Sequence, residues 1–83
     1  MKRSRLETCF DVLEIVRMGN EKPTTIMYKA NLSWNTLQQI LKVLLHKGLI
    51  IETKTGNWKR YNITARGKRV VGYYNKVLEL VIV

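Results

Sequence analysis

Asn35, Gln38, Gln39 and Lys42 stand about one helical turn apart, which puts their side chains on one side of a helix. A side-chain amide carries a donor and an acceptor next to each other. It can bond the edge of a nucleobase at two points, adenine above all. Thr36, beside them, can bond a base or touch a thymine methyl, and Lys42 can reach a phosphate or a guanine. Ser33, at the start of the same stretch, is a helix-capping candidate and is counted with these contacts. The same polar face is also what any solvated helix shows, so base contact and plain solvation both stand as readings.

A second group lies downstream. Lys54, Asn57, Trp58, Lys59 and Arg60 set cations around a tryptophan. Such cations suit phosphate or minor-groove contacts, which position a protein without specifying sequence. Trp58 could stack at a groove edge, meet a partner, or pack across a hairpin onto Thr53. Thr24, Thr25 and Lys29 can add backbone contacts. Trp34 could stack on a sugar-phosphate or cover the edge of a core, since positions 34, 37, 41 and 44 share a helix face.

No catalytic set accompanies these groups. His46 has no Cys, Asp or Glu beside it, and one His with one Cys does not make a zinc site, so no metal is expected. Cys9 falls on an apolar stripe and reads as core. Gly56, Gly67 and Gly72 form no phosphate loop. Glu7 and Asp11 sit one turn apart on a neutral, solvated face. Neither an enzyme nor a cofactor is expected, and no small-molecule ligand is evident.

Charge strengthens the case for an anionic partner. The 83 residues carry a net charge of +9. Residues 1–21 are neutral, while residues 22–83 hold eleven Lys or Arg against Glu52 and Glu79. An excess segregated in this way points to nucleic acid, an anionic surface or an acidic protein rather than to solubility alone. The length suits one core. A membrane span needs about 20 apolar residues, and the longest runs here, such as residues 80–83, reach about four. Residues 6–18 contain Glu7, Asp11 and Glu14, where an export signal needs an uncharged apolar stretch. A single cysteine fits a reducing compartment. The expected location is cytoplasmic and nucleoid-associated, with no membrane partner.

The elements that must position these groups follow from pattern and punctuation. Leu6, Cys9, Phe10, Leu13 and Val16 form the apolar stripe of a first helix, with Ser4 and Glu7 as a capping box and Gly19-Asn20 as its end. Pro23 opens a short second helix that runs to about Ala30, with Ile26, Met27 and Ala30 inward. Asn31, Leu32 and Ser33 make a tight turn. A third helix, about 33–47, buries Leu37, Ile40, Leu41, Leu44 and Leu45 and stops at Lys47-Gly48. A hairpin follows, with strands 49–53 and 58–63 joined by a turn over 54–57. Thr64 caps a last helix over 65–83, whose Val70, Tyr74, Val77 and Val81 recur at four-three-four spacing. This order predicts a mainly α chain with a small β-hairpin: a helix-turn-helix followed by a basic wing over about 50–63. No repeat, low-complexity tract or linker interrupts it. Residues 1–64 form the expected binding domain. Residues 65–83 both pack on it and offer Tyr73, Tyr74, Val77, Leu78 and Val81 as a homodimer surface.

Three stretches resemble a family of small archaeal winged-helix DNA-binding proteins. Residues 26–34, with Ala30-Asn31-Leu32-Ser33 followed by Trp34, resemble its helix-turn-helix core. Leu41, Leu44, Lys47, Gly48, Leu49 and Ile50 resemble its helix end. Tyr61, Ile63, Thr64 and Gly67 resemble its entry to the last helix. The likeness covers roughly residues 6–83. It implies double-stranded DNA as partner and a role as transcriptional regulator or chromatin-type protein, with the third helix in the major groove. It also implies pairing of the last helices between two copies. The family's aromatic at this position implies packing for Trp34. Two other readings remain open: a winged helix that docks proteins in a larger complex, and an RNA binder.

Overall fold

A computed structural model describes residues 3–82; Val83, included in the expected last helix, lies outside them. Four helices and one two-stranded antiparallel sheet follow in the expected order. Helix α1 (Arg5–Arg17) starts at a reciprocal capping box. The Glu7 N–H donates to Ser4 Oγ at 3.1 Å, and the Ser4 N–H donates back to Glu7 Oε1 at 3.4 Å. Helix α2 (Pro23–Ala30) starts on its proline and ends at Asn31, whose φ of 55° is left-handed. Asparagine tolerates that conformation, and it reverses the chain within two residues. Helix α3 (Trp34–His46) then begins at Ser33, whose Oγ accepts the Thr36 N–H at 3.2 Å.

The core forms where α3 lies across α1 and the root of the hairpin. Leu37, Ile40, Leu41 and Leu44 of α3 meet Leu13, Val16, Ile26 and Ala30, with Leu45 partly covered. Burying each large aliphatic chain contributes roughly 2 kcal/mol. The α1 stripe differs from expectation. Leu6 is 65% exposed, while Thr8 and Val12 are buried. α2, α3, α4 and the hairpin surround α1, so its covered face is wider than one stripe and turned toward Val12. The first turn, with Leu6, stands at the edge of those neighbours.

Strand β1 (Ile50–Thr55) pairs with β2 (Trp58–Ile63) from Ile50↔Ile63 to Thr55↔Trp58. The turn is therefore Gly56-Asn57 alone. Lys54 and Thr55, expected in the turn, are strand residues because pairing continues to the tip. Gly56 has φ +62°, the first-position glycine that a tight two-residue hairpin turn uses.

Helix α4 (Ala65–Ile82) is capped by Thr64, whose Oγ1 accepts the Gly67 N–H at 3.0 Å and donates to the Gly48 carbonyl at 2.7 Å. A Cβ on Gly67 would lie 2.1 Å from the Leu49 oxygen, so this closure needs glycine. α4 joins the body along one side as far as Tyr74, with Leu78 half-buried beyond it. Val71 is buried and Val70 and Tyr74 are half-buried, but Val77 and Val81 of the expected stripe are 54% and 76% exposed. Among the described residues, no helix is long and apolar enough to cross a membrane.

Candidate nucleic-acid interface

The face of α3 opposite the core carries Asn35, Gln39 and Lys42, all exposed, with Gln38 half-buried at its edge. Neither α2 nor α3 contains an acidic residue. This face is placed by the Asn31 turn, which joins α2 to α3 while both helices pack on α1, and by Arg3. Arg3 donates to the Ala30 carbonyl and to Asp11 Oδ2, each at 2.6 Å, and so ties α1 to the C-terminal end of α2.

Not every candidate contact is equally available. The Ser33 hydroxyl donates to Thr36 Oγ1 at 2.9 Å while accepting the Thr36 N–H, so these two side chains are engaged in the cap. Gln39 Oε1 accepts from Arg5 Nη1 at 3.3 Å. That bond leaves the amide N–H pair free and brings Arg5, which sequence reasoning did not single out, to the edge of the face. Thr24 and Lys29 are exposed, and Thr25 is half-buried.

The hairpin divides the wing cations. Alternation puts Lys54 and Lys59 on the face of buried Tyr61, and Trp58, Arg60 and Asn62 on the other. Lys59 Nζ lies 3.7 Å from Glu52 Oε1, and Arg60 Nη1 lies 3.4 Å from Glu21 Oε2. Among the described residues Lys54 has no ion pair. Burial, and secondarily the Glu52 carboxylate across the ladder, push the Tyr61 hydroxyl up to about 12. Glu21 also accepts from Asn62 Nδ2 at 2.8 Å, and its carbonyl accepts the Tyr61 N–H at 2.9 Å. Glu21 reads in the sequence as one acid of a neutral segment. Its partners lie some forty residues away, so no local signal marks it.

Trp34 and Trp58 line the same cleft, of 530 Å³, between the start of α2, the start of α3 and the wing tip. Trp34 is 48% exposed and Trp58 75%. Trp34 thus stands half out of the core edge, and Trp58 pairs with Thr55 rather than Thr53 across the ladder.

On the far side, Tyr74 stacks on Phe10 of the same chain, with ring centroids 3.8 Å apart and planes 8° apart. Leu78 is half-buried, and Tyr73, Val77 and Val81 are exposed. Cys9 is half-buried. Burial pushes its thiol up, against a smaller opposing effect of Arg5. Among the described residues no three His, Cys, Asp or Glu side chains gather as a metal site.

A helix-turn-helix whose second helix shows a polar, acid-free face, with a hairpin set beside it, defines a winged helix. The chain belongs to the winged helix-turn-helix family, whose model matches residues 2–81. Archaeal relatives include the uncharacterized protein MJ0287 of Methanocaldococcus jannaschii. It is 33% identical over 79 residues, covering 95% of this chain and 74% of that protein. MJ0290 of the same organism is 30% identical over 81 residues, covering 98% of this chain but only 36% of that protein. Solved structures of the same fold include Sso10a-2, a DNA-binding protein from Sulfolobus solfataricus. It has a TM-score of 0.81 and 23% identity, covering 94% of this chain and 81% of that one. The transcriptional regulator BldR from the same organism also has a TM-score of 0.81, at 16% identity, with 92% of this chain and 57% of that one covered. The homodimeric winged helix-turn-helix DNA-binding domain Mb0332 from Mycobacterium bovis has a TM-score of 0.76 and 18% identity. There the match covers 88% of this chain and 68% of that one.

Proposed function

We propose that the protein binds double-stranded DNA as a homodimer and acts as a transcriptional regulator or chromatin-type protein. The observation that carries this reading is the exposed α3 face of Asn35, Gln39 and Lys42, with Gln38 at its edge, on a helix pair without acids, in a segment that holds the whole +9. The major groove admits one such helix, and amides and lysine match its base edges and flanking phosphates. The wing lies on the backbone or minor groove, with Lys54 the cation readiest for phosphate. Lys29 and Thr24 add backbone contacts from α2. Sso10a-2, BldR and the Mb0332 domain are named for DNA binding or regulation, which supports the same reading.

For dimerisation the support is the outer half of α4. Tyr73, Val77 and Val81 expose an apolar strip that this chain leaves uncovered. The Phe10–Tyr74 stack beside it lies within the protomer. A second copy related by a two-fold axis covers both strips and presents two α3 helices to successive half-sites.

A titration with mixed-sequence duplex DNA at several salt concentrations tests the reading. If about six phosphates are neutralised per protomer, log affinity falls against log salt with a slope near −5. Absence of binding at low salt overturns it.

A further inference from the structure

The cleft between Trp34 and Trp58 has a composition that groove binding does not require. Its 530 Å³ is in the size range of small-ligand sites, roughly 300–1,000 Å³. Trp34, Trp58 and Pro23 supply apolar lining, and Lys22, Lys59 and Arg60 supply cations, of which Lys59 and Arg60 also pair with Glu52 and Glu21 through partly exposed contacts that a phosphate can replace at little cost. No acidic residue lines it. Lys22 starts α2 without a side-chain cap bond, so no side chain caps the first turn of that helix, whose Pro23 and Thr24 line the cleft. Aromatic lining beside cations matches a planar ring that carries an anion, and a nucleotide is such a molecule.

A base inside a perfect duplex has both faces stacked and cannot enter. Stacking one base on indole does not exceed the cost of drawing a paired base out. The occupant must already be unpaired. Resting on the DNA-binding reading above, we infer that this cleft seats a single unpaired nucleotide, its base against Trp34 and Trp58 and its phosphate at those cations. The protein then favours DNA that contains an unpaired nucleotide over the same duplex fully paired.

The protein has two tryptophans, and both line the cleft, so its intrinsic fluorescence reports occupancy directly. The experiment titrates wild type, Trp58→Ala and Trp58→Phe with a duplex carrying one unpaired thymidine and with the same duplex fully paired, at fixed salt. Trp58 is exposed, so neither substitution disturbs the core. Wild type binds the bulged duplex at least about fivefold more tightly, with deeper quenching of Trp34 and Trp58. Trp58→Ala removes that preference and Trp58→Phe keeps most of it. Equal binding of both duplexes by wild type overturns the inference and leaves the DNA reading intact, whereas binding of neither overturns both. A preference that survives Trp58→Ala reflects the easier bending of bulged DNA and also overturns it. Thymidine monophosphate that binds alone as tightly as the bulged duplex overturns DNA as the source of the nucleotide.

Discussion

Arg60 Nη1 lies 3.4 Å from Glu21 Oε2, and this pair joins the wing to the entry of α2. Asn62 and the Tyr61 N–H bond the same residue, so Glu21 fixes the hairpin against the helix-turn-helix by three contacts. Both charged side chains are partly exposed, and pairs of that kind contribute about 0–1 kcal/mol. A DNA phosphate can therefore take Arg60 from Glu21 at little cost. Glu21→Gln keeps an acceptor for Asn62 and removes the competing charge. Its expected effect is tighter duplex binding, with a salt slope steeper by about one. Unchanged affinity and slope would mean that Arg60 stays with Glu21 in the complex.

The α3 face separates reading from holding. Gln38→Ala with Gln39→Ala should leave the fold intact, since Gln39 is exposed and Gln38 lies at the edge. Discrimination between sequences should fall by roughly 1–3 kcal/mol for each base that an amide no longer bonds. Competition binding with varied duplexes measures it. A uniform loss across all sequences would show that these amides do not read bases.

Val77 and Val81 test the oligomer. Replacing both with Asp places charge on the exposed strip of α4, outside the protomer core. On the proposed dimer, the natural protein should sediment as a dimer and the double variant as a folded monomer. A natural protein that is monomeric at micromolar concentration would refute the dimer directly.

Tyr61 makes stability depend on alkaline pH. Folded, its phenol holds the proton to about 12; in the unfolded chain it releases it near 10. Between those values the unfolded state binds fewer protons, so this contribution to stability falls as pH rises through the window. Below about pH 10 it is fully present. Tyr61→Phe should flatten that part of the decline in denaturant midpoints and should remove the late phenol step in ultraviolet titration.

Of the glycines, Gly67 leaves the least room for a Cβ. Gly67→Ala forces its methyl against the Leu49 carbonyl and the Ile63 side chain, at 2.1 and 2.7 Å. Overpacking of this order costs about 1–3 kcal/mol, which lowers Tm by roughly 10 °C in a domain of this size. Gly72→Ala, with open space around its Cβ, is the matched control and should be neutral or slightly stabilising.

Much of the fold is legible in the sequence because its signals are local. Ser4 with Glu7, Pro23, Asn31 with Ser33, Gly48 and Thr64 each act on neighbours within a few residues, and each lies where the sequence puts it. The α3 face is legible for the same reason, since helical periodicity alone separates Leu37, Ile40, Leu41 and Leu44 from Asn35, Gln39 and Lys42. Leu6 and Val12 escape that reading because one stripe does not describe a helix that neighbours cover on several sides. The hairpin turn is two residues shorter than its composition suggests, because composition does not show where cross-strand pairing ends.

The sequence by itself thus determined the order of the elements, the polar face of α3 and the segregated charge, all set by nearest-neighbour chemistry and period. Only the tertiary structure decided which distant groups meet. It set Glu21 against Arg60, Phe10 against Tyr74, and Trp34 beside Trp58 in one cleft. Those meetings depend on how α2, the hairpin and α4 pack around α1 and α3. Packing is a property of the whole surface buried together, and no local pattern encodes it.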